Sequence, residues 1–573
     1  MKLLSLLPFL PLVEGGSKPL AKTLNGTYAG RHVPSLAQDF FLGIPFAHAP
    51  LLSNPISIND SWTGHRSAEQ YGPICHQLIT PELINRTGIP GLHQECLNLN
   101  IIRPAGWNHN DEKLPVLVWL YGGGFVDGFG ADLNSNFSYV VQKSVEIGKP
   151  ILAVTLNYRT SILGFPFGEE VKNEGVANLG LKDQRMALRW MQENIGAFGG
   201  DRNKVTLWGQ SAGAISIVGH LLAYGGRDEG LFHRGVVISG GVGIANTGNV
   251  TRPDRVRAFE EILKGTGCEG KGLDCLRGVD AETLFEVGQN VSAFSLYWTV
   301  IDGDILREPA SVQVLKGEFV KSVQLVVGTN SDEGLAWLGS VGEMNTEADV
   351  VATAKQYFRS ATNETIQKLV DAYPENEGPP FSLPLSETGK LCEGLRTIGM
   401  KCGPQSRRLG AILGDYGILY GRRTLARKFA ELGLAAYSYR FDTWPTSFPV
   451  QGGNFRPGFA SHSTEYSYFL NYGSEHNLYG NNPVVANSSS HRALAHGISS
   501  KLVAFVHSGD PNIIQAPGFP AWPRYSVEKP ANLVFNATAE PDALNVHVES
   551  DTYRQEAFSL FEGYPYELDV ATR

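Results

Sequence analysis

The segment Val205-Thr206-Leu207-Trp208-Gly209-Gln210-Ser211-Ala212-Gly213 sets a serine between two glycines, each two positions away. With 65 glycines in 573 residues the bare pattern arises easily by chance, so its surroundings carry the reading. An apolar run enters the motif, and a helix-forming run, Ala212-Gly213-Ala214-Ile215-Ser216-Ile217, leaves it. A strand that turns this sharply into a helix holds a serine hydroxyl clear of the backbone, where it can attack a carbonyl. A helix N-terminus also favours negative charge developing beside it. Acyl transfer further needs N–H donors aimed at the oxyanion. Trp119-Leu120-Tyr121-Gly122-Gly123-Gly124-Phe125 follows another apolar run, and its consecutive glycines let amides approach an oxygen with no Cβ in the way. The glycines do not spell G-x-G-x-x-G and no P-loop lysine follows, which makes a phosphate cradle the weaker reading. Gly123, Gly124 and the N–H of Ala212 are the expected oxyanion donors.

Positioning these groups requires rigid elements. Short, continuously apolar runs at Leu114 to Tyr121, Pro150 to Asn157, Lys204 to Trp208, Gly235 to Ser239, Val323 to Gly328 and Ala435 to Phe441 read as strands covered on both faces. Helical patterns fall among them at Leu181 to Ile195, Ala212 to Leu222, Arg252 to Leu263, Leu409 to Leu432 and His491 to Val506. Such alternation predicts an α/β fold: a mostly parallel central sheet with helices on both faces and long loop insertions. No repeat, charged block or low-complexity linker marks a boundary, so residues 17–573 are expected to form one large domain.

Charged residues make up 18% of the chain and the net charge is −9, so no basic field attracts nucleic acid. With 42% hydrophobic and 10% aromatic residues the chain is built for packed cores rather than disorder. Met1-Lys2, an apolar run from Leu3 to Val13 and small Gly15 and Gly16 predict a signal peptide over residues 1–16. That run is too short to span a bilayer, and no second long apolar run or lipid-anchor signal appears, so no integral membrane segment is expected. Sequons at Asn25, Asn59, Asn85, Asn136, Asn249, Asn290, Asn363, Asn487 and Asn536 are candidate glycosylation sites and favour secretion. Six cysteines lie in local pairs with no metal-site spacing. Cys75 with Cys96 and Cys268 with Cys275 are read as disulfides of an oxidising compartment, and the pairing of Cys392 and Cys402 stays open.

Together these residues resemble the type-B carboxylesterase/lipase branch of the α/β-hydrolases, which includes fungal lipases and animal cholinesterases. Phe41-Leu42-Gly43-Ile44-Pro45-Phe46-Ala47 is similar to the family's N-terminal signature. Glu95-Cys96-Leu97-Asn98-Leu99-Asn100 resembles its Glu-Asp-Cys-Leu motif, with the Asp absent. Asn157-Tyr158-Arg159, the stretch Asn178 to Arg185, Phe198-Gly199-Gly200, Asp302-Gly303-Asp304 and Ser508-Gly509-Asp510-Pro511-Asn512 fit later blocks. The likeness runs from about residue 27 to about residue 525.

This resemblance implies an α/β-hydrolase fold, a small-molecule ester substrate, no cofactor and a triad in the order Ser, acid, His. The acid follows a strand, and Val323 to Gly328 leads into Thr329-Asn330-Ser331-Asp332-Glu333-Gly334. Asp332 and Glu333 both qualify chemically. The family places a glutamate directly before the glycine, which selects Glu333. Six histidines follow it: His462, His476, His491, His496, His507 and His547. His491, His496 and His507 fall on a helical pattern and are read as core or surface residues. His462, in Ala460-Ser461-His462-Ser463-Thr464-Glu465-Tyr466, resembles the family's His-x-x-Glu block and is the expected base. An imidazole with an ordinary pKa near 6.5 takes a serine proton at neutral pH and returns it to the leaving group.

Departures from the family narrow the substrate. Gln210 stands before the serine where Glu is common, which weakens any preference for cationic substrates. No Trp, Tyr or Phe lies between Cys75 and Cys96, so the cation–π platform of cholinesterases is missing. Only 20 residues separate those cysteines, short for an apolar interfacial lid. The expected function is a secreted serine carboxylesterase. The alternatives are a triacylglycerol lipase, a hydrolase for one ester or lactone in a biosynthetic pathway, and a binding protein with a lapsed triad. Phe294 to Trp298 lines an acyl pocket or packs as aromatic core.

Overall fold

The computed structural model describes residues 18–79, 84, 88–108, 111–244, 248–291, 296–340, 342–374, 388–397, 401–444, 448–449, 455–456, 460–472, 488–565 and 567–568. The segment read as a signal peptide and the sequons at Asn85 and Asn487 lie outside them.

An eleven-stranded sheet organises the molecule. In chain order its strands are β1 (Arg31–Val33), β2 (Gln38–Pro45), β3 (Asn98–Pro104), β4 (Leu114–Leu120), β5 (Leu152–Leu156), β6 (Gly200–Gln210), β7 (Arg234–Ile238), β8 (Gln324–Asn330), β9 (Ala436–Phe441), β10 (Ala531–Phe535) and β11 (His547–Ser550). Their spatial order is β11-β10-β9-β8-β7-β6-β4-β5-β3-β2-β1. From β5 to β10 every pairing is parallel, and antiparallel strands close both edges. All seven residues of β4, Leu-Pro-Val-Leu-Val-Trp-Leu, are buried, which is why the run is continuously apolar rather than alternating. The six expected strands are all present within two or so residues, except that β6 begins four residues earlier, at Gly200.

Four of the five expected helices are α1 (Leu179–Asn194), α2 (Ala212–Gly226), α3 (Pro253–Gly265) and α6 (Ser489–Ser508). The regular turns of α2 end at Leu222, because Ala223, Tyr224 and Gly225 have non-helical angles. The helix expected from Leu409 to Leu432 is instead α4 (Ser406–Gly414), a π-helical turn over Asp415–Leu419, and α5 (Tyr420–Glu431). Buried Asp415 accounts for the wider turn's position: its carboxylate receives Arg554 Nη1 at 2.5 Å and the Tyr373 hydroxyl at 2.9 Å, which pins that turn inward.

The main core wraps both faces of the sheet, and a satellite cluster that includes Cys268 packs under α3. Cys75–Cys96 and Cys268–Cys275 are bonded as expected, and Cys392 pairs with Cys402. Among the described residues no helix is long and apolar enough to cross a membrane.

Candidate active site

In an open parallel sheet, ligand sites form beyond the carboxyl ends of the strands. The residues singled out above converge there, after β4, β6, β8 and β9. Ser211 connects β6 to α2 with φ 54° and ψ −122°, a left-handed geometry that L residues rarely adopt. Its N–H donates to the Ile238 carbonyl at 3.0 Å, which ties the strained turn to neighbouring β7. The flanking glycines permit the turn: a methyl carbon on Gly213 would stand 1.9 Å from the Leu120 carbonyl oxygen, inside any allowed contact. The elbow therefore rests directly on the end of β4, the strand that feeds the glycine loop.

His462 Nε2 lies 2.9 Å from Ser211 Oγ, and His462 Nδ1 lies 2.7 Å from Glu333 Oε2. Glu333 is buried, and its other oxygen accepts the Asn330 N–H at 2.7 Å and the Asn330 amide at 3.2 Å. That fixes the carboxylate plane and leaves Oε2 for the ring. Asp332 instead gives its backbone N–H to the Ala460 carbonyl at 2.9 Å, which docks the acid loop against the segment carrying His462. The same segment is held down by aromatic packing, since Tyr466 stacks on Trp119 of β4 at 5.2 Å between ring centroids. Trp337, one turn beyond Glu333, covers the imidazole at 5.5 Å.

The glycine loop faces this array. Gly123 and Gly124 have φ of 90° and 60°, a backbone region that glycine adopts without strain. The Ala212 N–H is at the first turn of α2, where amides have no intrahelical acceptor. Trp298 meets Phe125 edge-on at 5.2 Å, beside Gly124, whereas Phe294 lies outside the described residues. Gln210 donates to Ser463 Oγ at 2.7 Å, and its amide nitrogen stands 3.4 Å from His462 Nε2.

The other histidines are elsewhere. His491 bonds the Tyr468 hydroxyl at 2.7 Å inside the core, and burial pushes its imidazole down to about 4. His547 is exposed on the edge strand β11, and His476 lies outside the described residues. Of the sequons, Asn59, Asn249, Asn290 and Asn363 are exposed. Asn136 is half-buried, and its side-chain oxygen accepts the Ser138 N–H at 3.0 Å. The Asn25 amide nitrogen donates to two backbone carbonyls and that of Asn536 donates to the Asp442 carbonyl at 2.7 Å.

A second carboxylate behind the first received no role in the sequence reading. Glu465 is completely buried, accepts a short hydrogen bond from the Ser239 hydroxyl, and shares the Asn330 amide with Glu333. Burial first, then the facing Glu333 carboxylate, holds its proton well above the usual carboxyl range. The available signal was its place three residues after His462, inside a segment otherwise built for the core. A raised folded-state pKa adds stability that is fully present below the unfolded value and is lost as pH rises through the folded one. Glu465→Gln has no proton to lose. Its Tm relative to the wild type is therefore expected to climb steadily between about pH 5 and about pH 8, and a flat difference across thermal melts contradicts this.

A mostly parallel sheet with a serine at a strained strand-to-helix turn is the architecture of an α/β-hydrolase. Residues 17–556 match the carboxylesterase family. The chain is 32% identical over 442 residues to Lipase 5 of Diutina rugosa, covering 71% of this chain and 76% of that one. It is 30% identical over 475 residues to the secreted triacylglycerol lipase LIP1 of Gibberella zeae, covering 75% and 77%. Among solved structures, Aspergillus niger EstA matches with a TM-score of 0.78 at 25% identity, over 96% of this chain and 99% of that one. The Geobacillus stearothermophilus carboxylesterase EST55 matches with a TM-score of 0.73 at 26% identity, over 94% and 99%. The protein thus belongs to the carboxylesterase family and is a carboxylic ester hydrolase.

Proposed function

We propose that the protein is a secreted serine carboxylesterase in which Ser211, His462 and Glu333 form the catalytic triad. The observation that carries this reading is the unbroken line from Ser211 Oγ through the His462 ring to Glu333, with contacts of 2.9 and 2.7 Å. His462 Nε2 takes the Ser211 proton as Oγ attacks the ester carbonyl. Glu333 keeps the proton on Nδ1 and stabilises the imidazolium that forms. The N–H groups of Gly123, Gly124 and Ala212 receive the oxyanion, each such donor contributing about 3 to 4 kcal/mol in the transition state. The imidazolium then protonates the leaving alcohol. Water, activated by the same ring, releases the acid and restores Ser211.

Secretion is supported by relatives named as secreted lipases and by a signal-like N-terminus, with residues 17–573 acting as one catalytic domain. The exposed Asn59, Asn249, Asn290 and Asn363 are the preferred glycosylation positions. A lipase is the second reading, favoured by the names of those relatives. The short loop between Cys75 and Cys96 favours esterase. Hydrolysis rates on p-nitrophenyl esters of increasing chain length and on tributyrin decide between them. The esterase reading predicts saturation on short acyl chains below the solubility limit. A jump in rate as tributyrin forms an emulsion supports lipase instead, and no hydrolysis of any of these esters overturns both.

A further inference from the structure

Donors for an oxyanion must be held within about 2.7 to 3.1 Å of where the charge develops, so a loop of glycines requires outside bracing. After Gly124 the chain turns back through Phe125, with Val126 and Asp127 N–H groups both donating to the Gly123 carbonyl at 3.1 and 3.2 Å. It then passes Gly128, whose φ of 112° and closeness to Tyr121, 2.3 Å from a methyl carbon placed there, exclude any side chain. The buried amide of Gln77 meets Gly128 in both directions. Gln77 Oε1 accepts the Gly128 N–H at 2.7 Å, and Gln77 Nε2 donates to the Gly128 carbonyl at 3.1 Å and to the Cys75 carbonyl at 3.3 Å. Two residues later a second side-chain amide holds the same stretch. Asn157 Oδ1 accepts the Gly130 N–H at 2.8 Å, while Asn157 Nδ2 donates to the Cys96 carbonyl at 3.1 Å. Both halves of the Cys75–Cys96 disulfide are thereby linked, through one side-chain amide each, to the far end of the loop that presents Gly123 and Gly124.

We infer that Gln77 is a positioning residue for the oxyanion hole, with the Cys75–Cys96 disulfide as its anchor. The inference rests on the assignment of Gly123 and Gly124 as oxyanion donors. The carboxamide offers a donor and an acceptor in one plane and carries no charge. Without it, the Gly128 N–H and carbonyl lose these bonds and the loop is held less firmly in place. Such loosening leaves ground-state binding intact and weakens the contacts formed only when the carbonyl oxygen becomes an anion.

The test uses the full-length enzyme, a p-nitrophenyl butyrate substrate and an alkyl trifluoromethyl ketone, to whose carbonyl Ser211 Oγ adds to form a hemiketal, the former carbonyl oxygen becoming the oxyanion. Gln77→Met is expected to lower kcat by between about 10-fold and 100-fold with KM within about twofold, and to raise the ketone Ki by the same factor as the loss of kcat. Combining it with Cys75→Ser/Cys96→Ser should add less than the product of the separate losses, because all three changes slacken one brace. If Gln77→Met does not fold, Gln77→Glu carries the same expectation, with the loss growing as pH rises and the carboxylate that forms faces the Gly128 and Cys75 carbonyls. Unchanged kcat in a folded variant, or kcat and KM moving together with a falling Tm, overturns the inference. Full activity in Ser211→Ala would instead refute the underlying active-site assignment, whatever Gln77 does.

Discussion

Ser211→Ala is expected to lower kcat on a p-nitrophenyl ester by about six orders of magnitude, leaving only the small rate that binding and an intact oxyanion hole sustain. The size follows from the geometry of the elbow. Ser211 is held at φ 54° by neighbours, Ile238 among them through a backbone hydrogen bond, and not by its own hydroxyl. Alanine meets the same backbone strain as serine at this position, so the fold is retained and the chemistry alone is lost. A stopped-flow record should show no burst of p-nitrophenol, with a Tm close to that of the wild type. A variant that retains more than about a thousandth of wild-type turnover contradicts Ser211 as nucleophile.

Glu333→Gln should cost about four orders of magnitude in kcat. Glu333 Oε1 is fully engaged by the Asn330 N–H and side-chain amide, both donors. A glutamine there must keep its oxygen toward them and turn its NH2 group toward His462 Nδ1. The ring then carries its proton on Nε2, where it faces Ser211 Oγ at 2.9 Å and has no lone pair to accept the serine proton. Loss of kcat without loss of substrate binding is the signature, read from steady-state kinetics on the same ester. Activity within about tenfold of the wild type would show that Glu333 does not hold the tautomer.

The strands that carry the site were legible because both their faces are covered, which forces continuous apolar runs such as Leu114–Leu120. The edge strands Arg31–Val33 and His547–Ser550 escaped, being short, antiparallel and mixed in polarity. The π-helical turn at Asp415–Leu419 escaped as well, since Arg554 and Tyr373, which hold Asp415, are distant in sequence. The same contrast divides the site. Ser211 and the glycine loop are local words whose spacing is dictated by one turn, and chain order narrows the search for Glu333 and His462. Glu465, Ser239 and Asn330 come from three separate elements, and their mutual hydrogen bonds leave no local spacing to read. Gln77 is equally silent, because its partner Gly128 lies 51 positions away.

The most direct measurement is covalent: treat the purified enzyme with a fluorophosphonate, follow ester hydrolysis, and map the adduct by peptide mass spectrometry. One phosphonate per chain on the peptide bearing Ser211, with activity falling in step with labelling, is the expected result. A label on another residue, or full hydrolysis by protein whose Ser211 is completely modified, contradicts the proposed chemistry.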